Sequence, residues 1–320
     1  MDLKGKRWAG ISVFHDYSLP APVNEPWSVN VERNLFRLLQ APSWSINNTA
    51  NIPIQEFDIF VVPNFDIRDV DKQVDFIKRV KDAGKKVVVA YSQDSRFLTG
   101  AALICMETGT LYTAICESAD LIFAGLAENL HMFGRYEHKV FPFGYPFERL
   151  NYSRPYDQRA YDLLVATNGG TIDFGYSVEL LLTLKDRFPS KRIVFSIDPA
   201  LSHLYKRYSD KIEFIPGGLL THLPLSKAFL DPQLRPRPNR SIHEAWMCRT
   251  PFISSSFCYY SKLFPGFNYS KMDMIDIGDK YELLQSLDYN LLIAEAEKIA
   301  EAEYFDNKYI ELLKRLYPNQ

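Results

Sequence analysis

Short unbroken apolar runs alternate along this chain with stretches whose apolar positions recur every three or four residues. "WAGISVF" (8–14), "DIFVVPN" (58–64), "KKVVVAYS" (85–92), "ADLIFAG" (119–125) and "KVFPFG" (139–144) are runs of the first kind. Unbroken apolar runs bounded by turn residues predict strands buried on both faces, not half-exposed ones. Between them, "VERNLFRLL" predicts a helix after a polar, proline-containing loop at 15–28. "VDKQVDFIKRVKDAG" predicts another, with Val70, Val74, Phe76, Ile77 and Val80 on its apolar face and Gly84 as its stop. A helix is also expected before each of the runs at 119–125 and 139–144.

The alternation then restarts. "YDLLVATNGG" (161–170) reads as a strand ending in glycines and "YSVELLLTLKDRF" (176–188) as a helix. "KRIVFSID" (191–198), "KIEFIPG" (211–217) and "PFISSS" (251–256) read as further strands with helices between. The seam is "YPFERLNYSRPYDQRAY" (145–161), polar, aromatic and twice interrupted by proline. The final segment from "YELLQSL" onward is helical and predicts two or three helices, free to cross back to the first block. Repeated β-α-β units with apolar strands imply parallel sheets covered by helices. The expectation is an α/β chain of two Rossmann-like domains facing a cleft, residues 1–150 and 151–320. Ligands in such sheets sit beyond the carboxyl ends of the strands, where helix N-termini present free N–H groups.

Composition narrows the classes. The 320 residues carry a formal charge of −2, with 47% hydrophobic and 24% charged positions. That balance suits a globular chain and supplies no global field for gathering polyanions. Four cysteines (Cys105, Cys116, Cys248, Cys258) form no C-x-x-C pair and no metal spacing with histidine, and are read as reduced. "MDLKGKRWAGISVF" lacks the apolar core of a signal peptide, and no run approaches membrane-spanning length. The cytoplasm is the expected address.

Several chemistries are disfavoured by missing motifs. There is no G-x-G-x-x-G at the first strand–helix turn, no G-x-x-x-x-G-K-[ST], no H-E-x-x-H and no G-x-S-x-G. "DVD" (69–71) has the look of a metal pair, but acids in a first helical turn compensate the helix dipole. No metal is expected. Three other segments stand at predicted strand ends or helix starts. "ATNGGTIDFGYS" brings Gly169, Gly170 and Thr171 to a strand–helix turn, either an ordinary tight turn or one whose backbone N–H groups approach a phosphate. "LRPRPNRSIHE" places Arg235, Arg237 and Arg240 ahead of a helix, either as a solvated basic loop or as forked donors to phosphate oxygens. Ser241 and Glu244 have capping-box spacing. Helical spacing sets Ile242, Ala245 and Trp246 on one face and Arg240 and Glu244 on the other, so the carboxylate either bonds back to the helix start or accepts both hydroxyls of a ribose. In the first block Asp94 closes the strand at 85–92, as a turn residue or as a base for an attacking hydroxyl. His15 and Asp16, after the first strand, are the competing base candidates.

"NRSIHEAWMCRTPFISS" resembles the E-A-M-A-x-G-x-P-V-I segment in the carboxyl domain of GT-B glycosyltransferases. The family's ribose-binding glutamate falls on Glu244. "VFPFGYPFERLNYSRP" is similar to the family's interdomain connection and "EAEYFDNKYIELLKRLY" to its closing helix. The similarity runs from about residue 55 to the end, in the family's order. Two positions depart from the pattern: Pro236 stands where one group has a second glutamate, and Arg249 stands where the pattern has glycine. A narrower resemblance joins "KKVVVAYSQDSRFLTG" and "ADLIFAG" to phage DNA glucosyltransferases, whose catalytic aspartate falls on Asp94 and whose donor-phosphate loop falls on Gly169–Gly170.

The resemblance implies a glycosyltransferase whose donor is a nucleotide-diphosphate sugar, a UDP-sugar in the first instance. No further cofactor is implied. The acceptor it implies is a hydroxymethylated pyrimidine in phage DNA or else a glycan or small molecule. The loop at 15–28 is not basic, which counts against duplex DNA. A nucleotide-sugar 2-epimerase on the same scaffold and a non-catalytic nucleotide-sugar binder are the readings from other classes.

Overall fold

A computed structural model of the chain describes residues 5–12, 31–63, 70–91, 116–124, 134–143, 147–166, 174–197, 203, 206–232, 240–256, 258–269 and 273–319. In chain order its elements are β1 (Trp8–Ser12), α1 (Val31–Leu38), β2 (Ser43–Ser45), β3 (Ile59–Pro63), α2 (Val70–Asp82), β4 (Lys86–Tyr91), β5 (Leu121–Ala124) and β6 (Val140–Pro142). There follow β7 (Leu163–Ala166), α3 (Phe174–Arg187), β8 (Ile193–Ile197), β9 (Glu213–Pro216), α4 (Leu219–His222), β10 (Phe229–Leu230), α5 (Arg240–Met247), β11 (Phe252–Ser255) and β12 (Asn268–Tyr269). Three helices close the chain: α6 (Met274–Ser286), α7 (Tyr289–Ala300) and α8 (Phe305–Leu316).

The chain divides into two compact units, Met1–Pro146 with Phe305–Gln320, and Phe147–Tyr304. The division falls inside the proline-containing seam. It assigns the last helix to the first unit, the crossing back that the closing helical segment left open.

The first unit holds a six-stranded sheet in the order β2-β1-β3-β4-β5-β6, with every neighbouring pair parallel. Its strands send alternate residues to two cores. Phe60, Val62, Val87, Val89 and Ile122 join Phe76, Ile77 and Val80 of α2 on one face. Ile59, Val61, Val88, Leu121 and Phe123 join Leu35, Phe36 and Leu39 on the other, together with Leu312, Leu313 and Leu316 of α8. This second core explains why the last helix returns. Each buried leucine of α8 is worth about 2 kcal/mol against exposure, and without α8 part of a sheet face would lie bare. Polar contacts fix the docking: Lys308 Nζ donates to the carbonyls of Pro142 (3.3 Å) and Phe143 (3.1 Å), and Arg315 to that of Val140 (2.8 Å). On the same face the Phe36 ring lies so close to β1 that a Cβ built on Gly10 would meet it at 2.6 Å.

α2 ends as its glycine predicts. Gly84 sits at φ 73°. Its N–H donates to the Lys81 carbonyl (2.9 Å) and that of Lys85 to Val80 (3.1 Å), the paired bonds of a Schellman stop. Asp71 lies in the first turn of α2, where a carboxylate opposes the helix dipole.

The second unit holds another six-stranded, all-parallel sheet, β12-β11-β10-β7-β8-β9. Three strands here and above lie outside the sequence expectation: β2, β10 and β12, of two or three residues each. "SWS" and "NY" carry too few apolar positions, and "FL" is too short, to announce a strand.

Candidate functional site at the carboxyl edge of the second sheet

Read from β7, the second sheet runs outward through β8 to β9 in chain order, then jumps to β10 on the other side of β7. β7 and β10 are hydrogen-bonded neighbours, with Phe229 opposite Leu164 and Leu230 opposite Val165. That pair is the topological switch point of the sheet, the position at which open α/β sheets hold their ligands. The segment holding Gly169, Gly170 and Thr171 runs from the end of β7 to α3. The segment holding Arg235 and Arg237 runs from the end of β10 to α5. These five residues lie outside the described residues, but the strands and helices that bracket them leave the sheet at neighbouring positions.

α5 is held on every side. Residues 241–248 are all buried, so the two-faced helix expected from spacing is a helix packed all round. The helix already includes Arg240 and Ser241, so Ser241 lies at its second position and not at the cap that a capping box requires. Glu244 is 2% exposed. At the far end, the N–H of Arg249 donates to the Trp246 carbonyl (2.9 Å) and that of Thr250 to Ala245 (2.9 Å), a second Schellman stop. Arg249 takes the left-handed place there, at φ 49°. It is the position where the GT-B pattern has glycine.

Beyond that stop lies a buried arginine that sequence reasoning passed over. Arg159, 3% exposed, donates to the carbonyls of Ser226 (2.9 Å), Cys248 (3.2 Å) and Arg249 (3.3 Å), and to the Tyr289 hydroxyl (2.9 Å). Burial pulls its guanidinium below the usual range, against the opposing pull of Tyr289. A cation at these carbonyls complements the negative end of α5. In the sequence it is one more arginine in a polar seam.

Below the first turn of α5 sits an aromatic stack. The Phe147 ring lies on His243 (centroids 5.1 Å apart), on Tyr260 (4.5 Å) and near Trp246 (6.1 Å). His243 Nε2 accepts the backbone N–H of Glu148 at 3.2 Å, so the ring is neutral with its proton on Nδ1. Fully buried and bonded in this way, His243 is a packing and hydrogen-bonding piece, not a free base. Cys248 is equally inert, its thiol pushed up to about 12 by burial. Cys116, Cys248 and Cys258 are buried, and no disulfide joins them among the described residues.

Asp231 closes β10 at the switch point, 2% exposed. Its N–H donates to Ile253 (3.0 Å), and its carbonyl accepts the Tyr269 hydroxyl (2.7 Å). The logic that singled out Asp94, an acid ending an apolar strand, would have found Asp231 had β10 been foreseen.

In the first sheet, β1 lies between β2 and β3, so order reverses beside β1. In sequence His15 and Asp16 follow β1, and Asp94 follows β4. All three lie outside the described residues, as does the side chain of Arg240. Among the described residues no group of three His, Cys, Asp or Glu side chains is arranged to hold a metal, and no helix is long and apolar enough to cross a membrane.

No protein-family model and no curated protein sequence matches the chain. Solved structures do. Anabaena Alr3699/HepE, determined with UDP and glucose, is similar with a TM-score of 0.65 at 11% identity, over 96% of this chain and 98% of that one. The fold is GT-B. Two further GT-B neighbours are longer proteins. Trehalose 6-phosphate synthase from Burkholderia multivorans gives a TM-score of 0.58 at 12% identity, over 84% of this chain and 72% of that one. The pneumococcal O-GlcNAc transferase GtfA, determined with UDP and GlcNAc, gives 0.57 at 12% identity, over 81% of this chain and 57% of that one. At such identities the likeness speaks for the GT-B architecture, two parallel sheets each flanked by helices.

Proposed function

We propose that this chain is a glycosyltransferase that moves a sugar from a UDP-sugar to an acceptor hydroxyl. The observation that carries the reading is the adjacency of β7 and β10, which sends the glycine turn and the arginine segment from neighbouring strand ends. The UDP and sugar named with HepE and GtfA, which share the fold, support the donor class.

In this reading the backbone N–H groups around Gly169, Gly170 and Thr171 and the side chains of Arg235, Arg237 and Arg240 meet the diphosphate. Ser241 lies at the same helix start, and Glu244 accepts the ribose hydroxyls. The acceptor oxygen attacks the anomeric carbon while the bond from that carbon to the diphosphate oxygen breaks. Asp94 takes the acceptor's proton, with His15 and Asp16 next in order. The leaving nucleoside diphosphate carries away the electron pair, and forked cations and helix N–H groups neutralise the charge as it develops. Arg159 and the closed end of α5 keep that helix in place without touching the donor.

The acceptor is a glycan or a small molecule. A hydroxymethylated pyrimidine in DNA stays the alternative; its support is the residue pattern around Asp94, and the solved structures add nothing to it. The test is a panel of nucleotide sugars titrated against the protein. The best binder is then incubated with simple glycan acceptors, with hydroxymethylated DNA and with no acceptor. A glycosylated product establishes transfer, a changed sugar nucleotide without acceptor establishes the epimerase, and saturable binding with neither leaves a binding protein. Failure of every nucleotide sugar to bind ends the reading.

A further inference from the structure

At the amino edge of the second sheet, opposite the switch-point loops, lies a separate cavity of about 110 Å³. Its walls come from residues just before three strands and from α6. Asp162 precedes β7, Lys191 precedes β8, Lys227 and Ala228 precede β10, and Tyr281 and Gln285 stand on α6, with Tyr156 alongside. The space equals about three water molecules or one small ion.

Two observations make this cavity more than a packing defect. Tyr281 is fully buried, and its hydroxyl has no hydrogen-bond partner among the described residues. A buried phenol left unbonded is costly, on the order of 1–3 kcal/mol, so the site calls for an acceptor. Tyr281 lines the same space as Asp162 and Tyr156. The ring itself is set edge-on to Phe188 at 5.1 Å.

The charges point the same way. Both oxygens of Asp162 are engaged: Oδ1 by Lys227 Nζ at 2.9 Å and Oδ2 by the N–H of Arg192 at 2.9 Å. Lys191 has no ion-pair contact for its ammonium among the described residues. One carboxylate and two ammonium groups therefore line the space, leaving a net positive charge beside an unused hydroxyl donor. The Lys227 ammonium has three N–H bonds to give and spends one on Asp162.

We propose that this cavity binds a small tetrahedral oxyanion, phosphate or sulfate, between Lys191, Lys227 and the hydroxyl of Tyr281. A bound anion ties the starts of β7, β8 and β10 to α6, so it stabilises the second unit from the edge remote from the donor loops. The proposal is independent of the glycosyltransferase reading. It asks nothing of Glu244 or of the switch-point segments.

The test is thermal unfolding of the full chain in rising potassium phosphate, with potassium chloride holding the ionic strength. Tm is expected to rise with phosphate and to saturate, by about 4 °C at a ten-fold excess over Kd. Tyr281→Phe keeps the ring against Phe188 and should melt no earlier than the parent without phosphate, yet lose the phosphate-dependent rise. Lys191→Met, at a partly exposed position, should lose the same rise with its phosphate-free Tm unchanged, and it carries the test if Tyr281→Phe does not fold. No phosphate-specific rise in the parent overturns the proposal and leaves ordered water as the occupant. A rise that persists in a folded variant also overturns it, because phosphate then binds elsewhere, such as at the donor loops.

Discussion

Arg249 reaches the hydroxyl of Tyr304 through Nη2 at 3.3 Å, from a backbone held at φ 49°. The same guanidinium donates to the Trp246 carbonyl (2.7 Å), lies over the Trp246 ring (4.6 Å) and pairs with Glu297 (3.4 Å). A left-handed backbone costs a non-glycine residue about 1 kcal/mol, and these contacts offset it. Where the segment it resembles has glycine, this chain has a side chain that anchors the end of α5. Arg249→Ala loses the anchor and keeps the strained backbone, whereas Arg249→Gly loses the anchor and is relieved of the strain. Urea unfolding should find the alanine variant less stable than the glycine variant by about 1 kcal/mol. Equal stability would show that the backbone is unstrained.

Arg159 offers a harsher test. Methionine fills much of its volume but leaves the carbonyls of Ser226 and Cys248 without their buried donor. Arg159→Met should destabilise the second unit by at least about 3 kcal/mol, and Arg159→Lys by less, since one ammonium cannot reach every carbonyl the fork reaches. Chemical denaturation of both variants decides it. A loss under 1 kcal/mol for methionine would remove Arg159 from the framework.

The acid limb of stability has a named contributor. Burial pushes the Asp120 carboxyl up. The hydrogen bonds from Lys81 Nζ (2.8 Å) and the Val87 N–H (2.8 Å), with the charges of Lys81 and Lys86, outweigh it and leave the group below its ordinary value. A depressed carboxyl contributes stability above its unfolded value of about 3.9 and loses it as pH falls through the lower folded value. Asp120→Asn should therefore be less stable than the parent at pH 7. The gap should close below about pH 4 in a pH series of melting curves, and a gap independent of pH would assign the loss to packing.

Glu244 separates donor binding from folding. Calorimetric titration with UDP should show at least a ten-fold weaker Kd for Glu244→Ala, with Glu244→Gln intermediate, because an amide retains one acceptor. Unchanged affinity in a folded variant would return Glu244 to a purely structural role inside α5.

Asp94→Asn probes the other half of the proposal. Donor affinity should stay within two-fold of the parent, while turnover falls by roughly 10²–10⁴ with the loss of the base. Full turnover would move the search to His15 and Asp16.

Much of this molecule is legible in its one-dimensional pattern. The runs that became β1 and β3–β8 are mainly apolar and buried, β9 and β11 are apolar in part, and Gly84 announces the end of α2. The short strands β2, β10 and β12 are not legible, since two or three residues bonded between neighbours need no period of their own. β10 mattered most. Without it the arginine segment has no strand to leave from, Asp231 passes unnoticed, and the switch point is invisible. Spacing sets Glu244 on the helix face opposite Ile242, Ala245 and Trp246, whereas the structure buries it with them. Hydrophobic periodicity does not register a polar side chain enclosed by neighbours from distant segments.

Local chemistry written in the chain determined that strands and helices alternate, where helices stop, and which segments carry phosphate-type donors. Only the tertiary structure decided that β7 and β10 are neighbours, that α8 returns to the first sheet, and that Arg159 closes α5. Those relations join residues tens to hundreds of positions apart, and what selects them is the burial of apolar faces and the pairing of enclosed polar groups, which act through space and leave no period along the chain.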